Sequence, residues 1–132
     1  MTSPLILIAE DEPFLLKVYK AKMEKAGIRA LLAQDGEQVL ELLRQAEQHL
    51  PQLILLDIIM PKKDGFTVLK ELKAEPKWAN IPIIVTSNLG QPEDKIKALD
   101  LGAVDYIVKS DTPIQGIIEQ VQKILASHAP TA

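Results

Sequence analysis

The stretch that decides the fold of this chain is LILLDIIMPKKDG, residues 53–65. Four apolar residues come first, Asp57 follows them, and three more apolar residues and a proline come next. A short apolar run bounded by turn residues is typical of a strand that is covered on both faces. Asp is almost never fully buried without a partner, because desolvating a lone charge is costly. We therefore expect Asp57 at the exposed end of a buried strand, together with residues that bind or use its carboxylate.

Similar apolar runs recur along the chain, and stretches with helical spacing separate them. The predicted strands are Leu5–Ala9, Arg29–Ala33, Leu53–Leu56, Ile83–Thr86 and Val104–Val108. Pro13 lies where a first-turn proline belongs, and Gly102 follows a helical stretch as a C-terminal cap does. The fourth helical stripe is weak and consists of Ile96 and Leu99. Five strand–helix alternations predict a doubly wound α/β fold, in which five helices cover both faces of a five-stranded parallel sheet.

Length and composition restrict the class of protein. At 132 residues the chain suits a single domain, which we place at residues 1–126 with a C-terminal tail at residues 127–132. A net charge of −3 argues against direct contact with nucleic acid, and the lack of cysteine excludes a thiolate metal site. Since neither a signal peptide nor a membrane-spanning stretch is present, we expect a cytoplasmic protein without membrane contact.

Polar residues at the ends of the predicted strands form the candidate site, because ligands of open α/β sheets bind beyond the carboxyl ends of the strands. If the first and third strands are neighbours, Glu10, Asp11 and Asp57 meet. Three carboxylates repel one another unless a cation joins them, and an all-oxygen ligand set suits Mg²⁺. With Lys109 as a mobile cation and Ser87 as a hydroxyl donor, these residues are the parts that phosphoryl transfer to Asp57 requires.

Over residues 4–126 the chain resembles the receiver domain of two-component response regulators of the chemotaxis-regulator type. The motifs that carry the resemblance are EDEP at residues 10–13, the Asp-x-x-Met-Pro-x-x-Asp-Gly stretch at residues 57–65, Thr86-Ser87, Ala98-Leu99 leading to Leu101-Gly102-Ala103, and Asp105-Tyr106 leading to Lys109. The resemblance implies a flavodoxin-like strand order 2-1-3-4-5. It also implies that Asp57 is the phosphoacceptor of a sensor histidine kinase or a phosphotransfer protein.

The resemblance further implies roles for the residues around Asp57. Glu10, Asp11, Asp57 and the backbone carbonyl of Ile59 would bind Mg²⁺, and Lys109 would contact the phosphoryl group. We expect a protein that assists its own phosphorylation and dephosphorylation and is not a turnover enzyme.

The resemblance implies a switch and an output surface as well. Ser87 is expected to be the switch hydroxyl, and Tyr106 the aromatic residue that turns inward with it. The surface formed by the fourth helix, the fifth strand and the fifth helix is expected to bind a downstream protein effector or a second copy of the chain.

Three local questions stay open at this point. Either Thr86 or Ser87 is the switch hydroxyl, since a shift of one residue points the side chain to the other face of the strand; placing the chain on the family pattern favours Ser87. Ser110 follows Lys109 where the family has a proline, often after a cis bond, and a cis bond before serine costs roughly 3 kcal/mol. Glu10 and Asp11, finally, are also suited to cap the first helix.

Two other functions compete with the phosphorylated switch. One is a receiver-like interaction module that never takes phosphate, although such proteins usually lose an acid or the lysine. The other is a Mg²⁺-dependent phosphatase with an Asp nucleophile, which would carry Asp-x-Asp at the first strand. No output domain follows residue 126, so the chain is either a stand-alone receiver or a fragment; Met1 and the short tail favour the former.

Overall fold

A computed structural model describes residues 3–88 and 90–127 and confirms the predicted α/β class. The elements are β1 (Leu5–Ala9), α1 (Pro13–Lys25), β2 (Arg29–Ala33), α2 (Gly36–Gln45), β3 (Leu53–Asp57), α3 (Gly65–Ala74), β4 (Ile83–Ser87), α4 (Pro92–Asp100), β5 (Asp105–Val108) and α5 (Ile114–Ser127). A short 3-10 turn at Lys109–Asp111 joins β5 to α5. Among the described residues, no helix has the length and apolar character that crossing a membrane requires.

The five strands are parallel and lie in the order β2-β1-β3-β4-β5, as expected. The central strand is β3, which pairs with β1 on one side and β4 on the other. Ala9, the last residue of β1, lies beside Leu56, and Asp57 lies beside Thr86 of β4. The residues that follow β1 therefore lie next to Asp57, as the proposed carboxylate cluster requires.

Side chains of β3 alternate between two apolar cores, one on each face of the sheet. Ile54 and Leu56 pack in the core formed with α2, α3 and α4, whereas Leu53 and Leu55 pack in the core formed with α1 and α5. All four are at most 1% exposed. Burial on both faces explains why β3 is a continuous apolar run, and it fixes the position of Asp57 at the end of that run.

Side chains and a glycine cap the ends of several helices, and Gly102 is the cap that the sequence predicts. Asp64 accepts a hydrogen bond from the backbone of the first turn of α3, and Gly102 after α4 has a φ of 109°. The first helix is capped by Glu12, whose carboxylate accepts from two backbone amides of the first turn. Glu10 and Asp11 do not cap this helix, so their carboxylates are available for another role.

The ends of several elements differ slightly from the prediction. β3 and β4 each extend by one residue, to Asp57 and Ser87, β5 begins one residue later than predicted, at Asp105, and α5 continues through Ser127. Residues 1–2 and 128–132 lie outside the described residues. The division into a domain and a tail at residue 126 stays a prediction.

Candidate functional site

The carboxylate of Asp57 lies at the C-terminal end of β3 and is paired with Lys109. Asp57 Oδ2 accepts a hydrogen bond of 2.9 Å from Lys109 Nζ, and Glu10 Oε1 accepts one of 2.7 Å from the same ammonium group. Asp57 is 3% exposed and Glu10 is 2% exposed. The prediction of an exposed position for Asp57 is therefore wrong. Lys109 and Glu10 cover this carboxylate, and the ion pair offsets the cost of burying it.

Lys109 reaches the site from the first residue of the 3-10 turn after β5. The described residues contain no cis peptide bond, so the bond between Lys109 and Ser110 is trans, and the trans alternative is the one observed. Burial acts to lower the pKa of Lys109, but the hydrogen bonds to Glu10 and Asp57 outweigh it and raise the pKa. The ammonium group therefore stays charged beside Asp57 at neutral pH.

Three carboxylates meet beyond the ends of β1 and β3. One oxygen from each of Glu10, Asp11 and Asp57 lies within 4.8 Å of the other two. The side chain of Asp11 is exposed, and its pKa is raised by partial desolvation of the carboxyl group and by the neighbouring Glu10 carboxylate. A divalent cation relieves such crowding of acidic groups, and an all-oxygen donor set is the one that Mg²⁺ prefers. The residues present therefore fit Mg²⁺.

The loop between β3 and α3 is held tightly against Asp57. The backbone amide of Ile59 donates to Asp57 Oδ1 at 3.2 Å, and the amide of Gly65 donates to the Ile58 carbonyl at 2.6 Å. A Cβ atom at Gly65 would overlap the backbone carbonyl oxygen of Asp57 and lie 2.6 Å from Ile58 Cα. The Asp-Gly pair of the motif thus permits a close approach of α3 to the strand end. The expected role of the Ile59 carbonyl as a metal ligand stays a prediction.

A cavity of about 270 Å³ opens beside Asp57. Its lining consists of Glu10, Asp11, Glu12, Leu15, Asp57, Ile59, Asn88 and Lys109. Sequence reasoning did not assign a role to Leu15 or Asn88, although Asn88 follows β4 directly and its position at a strand end was a usable signal. A larger groove of about 500 Å³ lies near Trp78, but among its described lining residues no acidic cluster resembles the one at Asp57.

The predicted switch residues contact each other. Ser87 is fully buried, Tyr106 is 7% exposed, and their side chains are joined by a hydrogen bond. Burial raises the pKa of Tyr106, and the bond to Ser87 acts in the opposite direction. Neither residue lines the cavity beside Asp57. Thr86, the alternative candidate, lies directly beside Asp57 in the strand pairing. The switch roles of Ser87 and Tyr106 stay predictions.

Tyr19 of α1 is a buried residue to which the sequence pattern assigns no functional role. It is 2% exposed, and burial raises its pKa to about 12. The charges of Lys109, Glu10 and Asp57 also act on this phenol, the first lowering its pKa and the other two raising it. The hydroxyl therefore stays neutral near the charged cluster, and nothing in the residue pattern distinguishes it from an ordinary core position.

Comparison with known proteins agrees with this arrangement. The family model of the response regulator receiver domain matches residues 6–122. The DNA-binding dual master transcriptional regulator RpaA of Synechocystis is 40% identical over 106 residues, which are 80% of this chain and 43% of RpaA. The structure of the phosphorylated cyanobacterial phytochrome response regulator RcpA matches with a TM-score of 0.80 and 29% identity, covering 98% of this chain and 96% of RcpA. That of Mn²⁺-bound Rcp1 matches with a TM-score of 0.77 and 28% identity over the same shares of both chains.

The chain spans about half the length of the curated relatives it matches. RpaA is a DNA-binding regulator, so the expectation that this protein has no contact with nucleic acid is not supported. The net charge of these 132 residues was an insufficient basis for that expectation, because it describes only the part of the relatives' length that this chain spans.

Proposed function

The chain belongs to the response regulator receiver family, and on that premise we propose that Asp57 accepts a phosphoryl group from a phosphohistidine of a sensor histidine kinase or a phosphotransfer protein. The observation that carries the proposal is the contact of Asp57 Oδ2 with Lys109 Nζ at 2.9 Å, beside the carboxylates of Glu10 and Asp11. A paired, partly enclosed carboxylate that lines an open cavity is suited to act as a nucleophile.

In the transfer, an oxygen of Asp57 attacks phosphorus while the bond from phosphorus to the donor nitrogen breaks and the nitrogen keeps the electron pair. Negative charge spreads over the three phosphoryl oxygens during this step. Lys109 lies at the strand end in its charged form and would neutralise part of that charge. The buried surroundings of Asp57 and Glu10 strengthen this interaction, because water does not screen it.

We further propose that Glu10, Asp11, Asp57 and the Ile59 carbonyl hold Mg²⁺. When bound, the ion would supply additional positive charge to the phosphoryl oxygens. The protein residues would orient it, since Glu10 Oε2 is held by the amide of Glu12 and Asp57 Oδ1 by the amide of Ile59. Carboxylate oxygens accept more than one partner, so these hydrogen bonds leave room for a metal.

The proposed output is a change of the surface formed by α4, β5 and α5. Ser87 and Tyr106 form a hydrogen-bonded pair beneath it, and we assign them the switch hydroxyl and the coupled aromatic ring. Three large apolar residues on or beside α4 are exposed, namely Ile96 by 59%, Leu99 by 40% and Val104 by 38%. Such residues are suited to bind a protein effector or a second copy of the chain. A cytoplasmic location and the absence of enzymatic turnover are proposed from the family alone.

Intact mass after incubation with acetyl phosphate and Mg²⁺ tests this function. We expect one added phosphoryl group on the wild type and on Asp100→Asn, an exposed control on α4, and none on Asp57→Asn. A wild-type protein that shows no adduct with any small donor and no binding of Mg²⁺ would reject the proposal in favour of an interaction module. Release of many equivalents of phosphate per protein molecule would instead indicate a phosphatase.

A further inference from the structure

Asn88 is a polar residue of the cavity to which the proposed function gives no role. It follows β4 immediately, is exposed, and lines the cavity together with Asp57 and Lys109. Side chains of β4 alternate, so that Ile84 faces the core formed with α1 and α5 while Val85 faces the opposite core. Continued past the strand end, this alternation places Asn88 on the same face as Thr86, the neighbour of Asp57, and Ser87 on the other.

The other polar side chains of the cavity already have partners. Lys109 joins Glu10 and Asp57, the carboxylate of Glu12 accepts from the first turn of α1, and Asp11 lies in the carboxylate cluster with Glu10. In contrast, the side chain of Asn88 makes no hydrogen bond to another described residue. It is also the one neutral amide among the residues that the structure places around the cavity.

The carboxamide of Asn88 is a group that could assist the hydrolysis of a phosphorylated Asp57. In an in-line displacement, water attacks phosphorus from the side opposite to the Asp57 oxygen, so the water must be held by residues that line the cavity. Leu15 and Ile59 line the same cavity and offer no hydrogen bond from their side chains. A carboxamide offers both a hydrogen-bond acceptor and a donor. Its oxygen accepts a hydrogen bond from the water, and its nitrogen donates one to a phosphoryl oxygen.

We propose that Asn88 positions the water that hydrolyses the aspartyl phosphate, and thereby sets how long the phosphorylated state lasts. This inference rests on the proposed function of Asp57. The water oxygen forms a bond to phosphorus, the bond between phosphorus and the Asp57 oxygen breaks, and the electron pair returns to the carboxylate. Both protons of the water leave with the inorganic phosphate, so no further reactant is needed.

The experiment is a measurement of phosphate lifetime. Wild type, Asn88→Ala and Asn88→Ser are phosphorylated with acetyl phosphate and Mg²⁺, the donor is removed by desalting, and loss of the phosphoryl mass is followed with time. We expect about three- to tenfold slower hydrolysis in both variants, the effect of one lost hydrogen bond to the transition state. The other asparagine of the chain, Asn80, lies in the loop between α3 and β4, and Asn80→Ala should hydrolyse at the wild-type rate.

A second measurement separates water positioning from a structural effect. The Mg²⁺ concentration for half-maximal phosphorylation should be the same in wild type and in both Asn88 variants, because Asn88 is not among the expected metal ligands. Unchanged or faster hydrolysis in the variants, or slower hydrolysis that comes with weakened Mg²⁺ dependence, would overturn the role of Asn88. Failure of the wild type to take phosphate would reject the proposed function itself, which is a different result.

Discussion

The two helices that flank β4 in sequence differ in how they are attached to the domain. Of the ten residues of α3, Gly65, Val68, Leu69 and Leu72 are buried. Of the nine residues of α4, Ala98 alone is buried. Helices with few buried apolar contacts open and shift at low cost in free energy. The protein therefore fixes the segment behind Asp57 firmly and attaches the proposed output helix weakly.

The starts of the two helices show the same difference. The carboxylate of Asp64 accepts from the backbone of α3, whereas Gln91 at the start of α4 makes no side-chain cap hydrogen bond. The loop before α3 is also held by Lys63, whose ammonium group contacts Glu71 of α3 at 2.7 Å. A signal that begins at Asp57 should thus move α4 more readily than α3. This difference between the helices can be tested by matched substitutions.

Removal of one leucine from each helix should give the largest difference. Leu69 of α3 is fully buried and Leu99 of α4 is 40% exposed. Leu69→Ala should lower the free energy of unfolding by about 2–5 kcal/mol, through lost burial and a residual cavity. Leu99→Ala should lower it by less than about 1 kcal/mol. Urea unfolding measures both, and equal losses would contradict the proposed difference in packing.

The glycine that begins α3 and the glycine in the loop before α4 give a second matched pair. A Cβ atom at Gly65 would overlap the Asp57 carbonyl, whereas one at Gly90 would meet nothing within 4 Å. Gly65→Ala should cost about 1–3 kcal/mol of unfolding free energy and slow phosphorylation, because it displaces the strand end. Gly90→Ala should be neutral or stabilise by up to about 1 kcal/mol, through the unfolded chain. Urea midpoints and acetyl phosphate labelling rates check both variants, and a tolerated Gly65→Ala would show that the loop is not rigid.

Lys73 holds the end of α3 to the loop that follows it. Its ammonium group donates to the carbonyls of Ala79 at 2.9 Å and Ile81 at 3.2 Å, and burial lowers its pKa. Lys73→Met keeps most of the apolar part of the side chain but removes the ammonium group that donates both hydrogen bonds, so we expect a loss of about 1–2 kcal/mol in unfolding free energy. Lys70→Met, at an exposed position of the same helix, should change it by less than about 0.5 kcal/mol. Thermal unfolding measures both variants, and an equal change in unfolding free energy would show that Lys73 does not hold the end of α3.

Much of the fold follows from the sequence because its signals are local. Apolar runs predicted the ends of all five strands to within one residue. The polar residues at the ends of β1, β3 and β5 predicted that Glu10, Asp57 and Lys109 would meet. The burial of Asp57 was not predicted, because it depends on a direct side-chain contact with Lys109 at 2.9 Å and not on strand order alone. A pattern of spacing also does not show which face of a helix packs inward.

The fourth helix illustrates that limit. The stripe of Ile96 and Leu99 predicts an apolar face, yet both residues are exposed and Ala98 is the buried residue of the helix. With only two large apolar residues in nine positions, periodicity cannot distinguish a core face from a surface for a partner. The observed exposure of these residues, and not their spacing, supports a binding surface on α4.

The smallest expected effect concerns a direct contact between the two helices. Lys97 Nζ of α4 lies 4.1 Å from the centre of the Phe66 ring of α3. A double-mutant cycle with Lys97→Met and Phe66→Leu should give a coupling of about 0.5–1 kcal/mol in unfolding free energy, as for a partly exposed cation–π pair. The same cycle with Lys95→Met should give no coupling. Because α4 buries so little, the loss of this contact should increase amide hydrogen exchange in α4 and leave α3 unchanged; equal increases in both helices would show that they open as one unit.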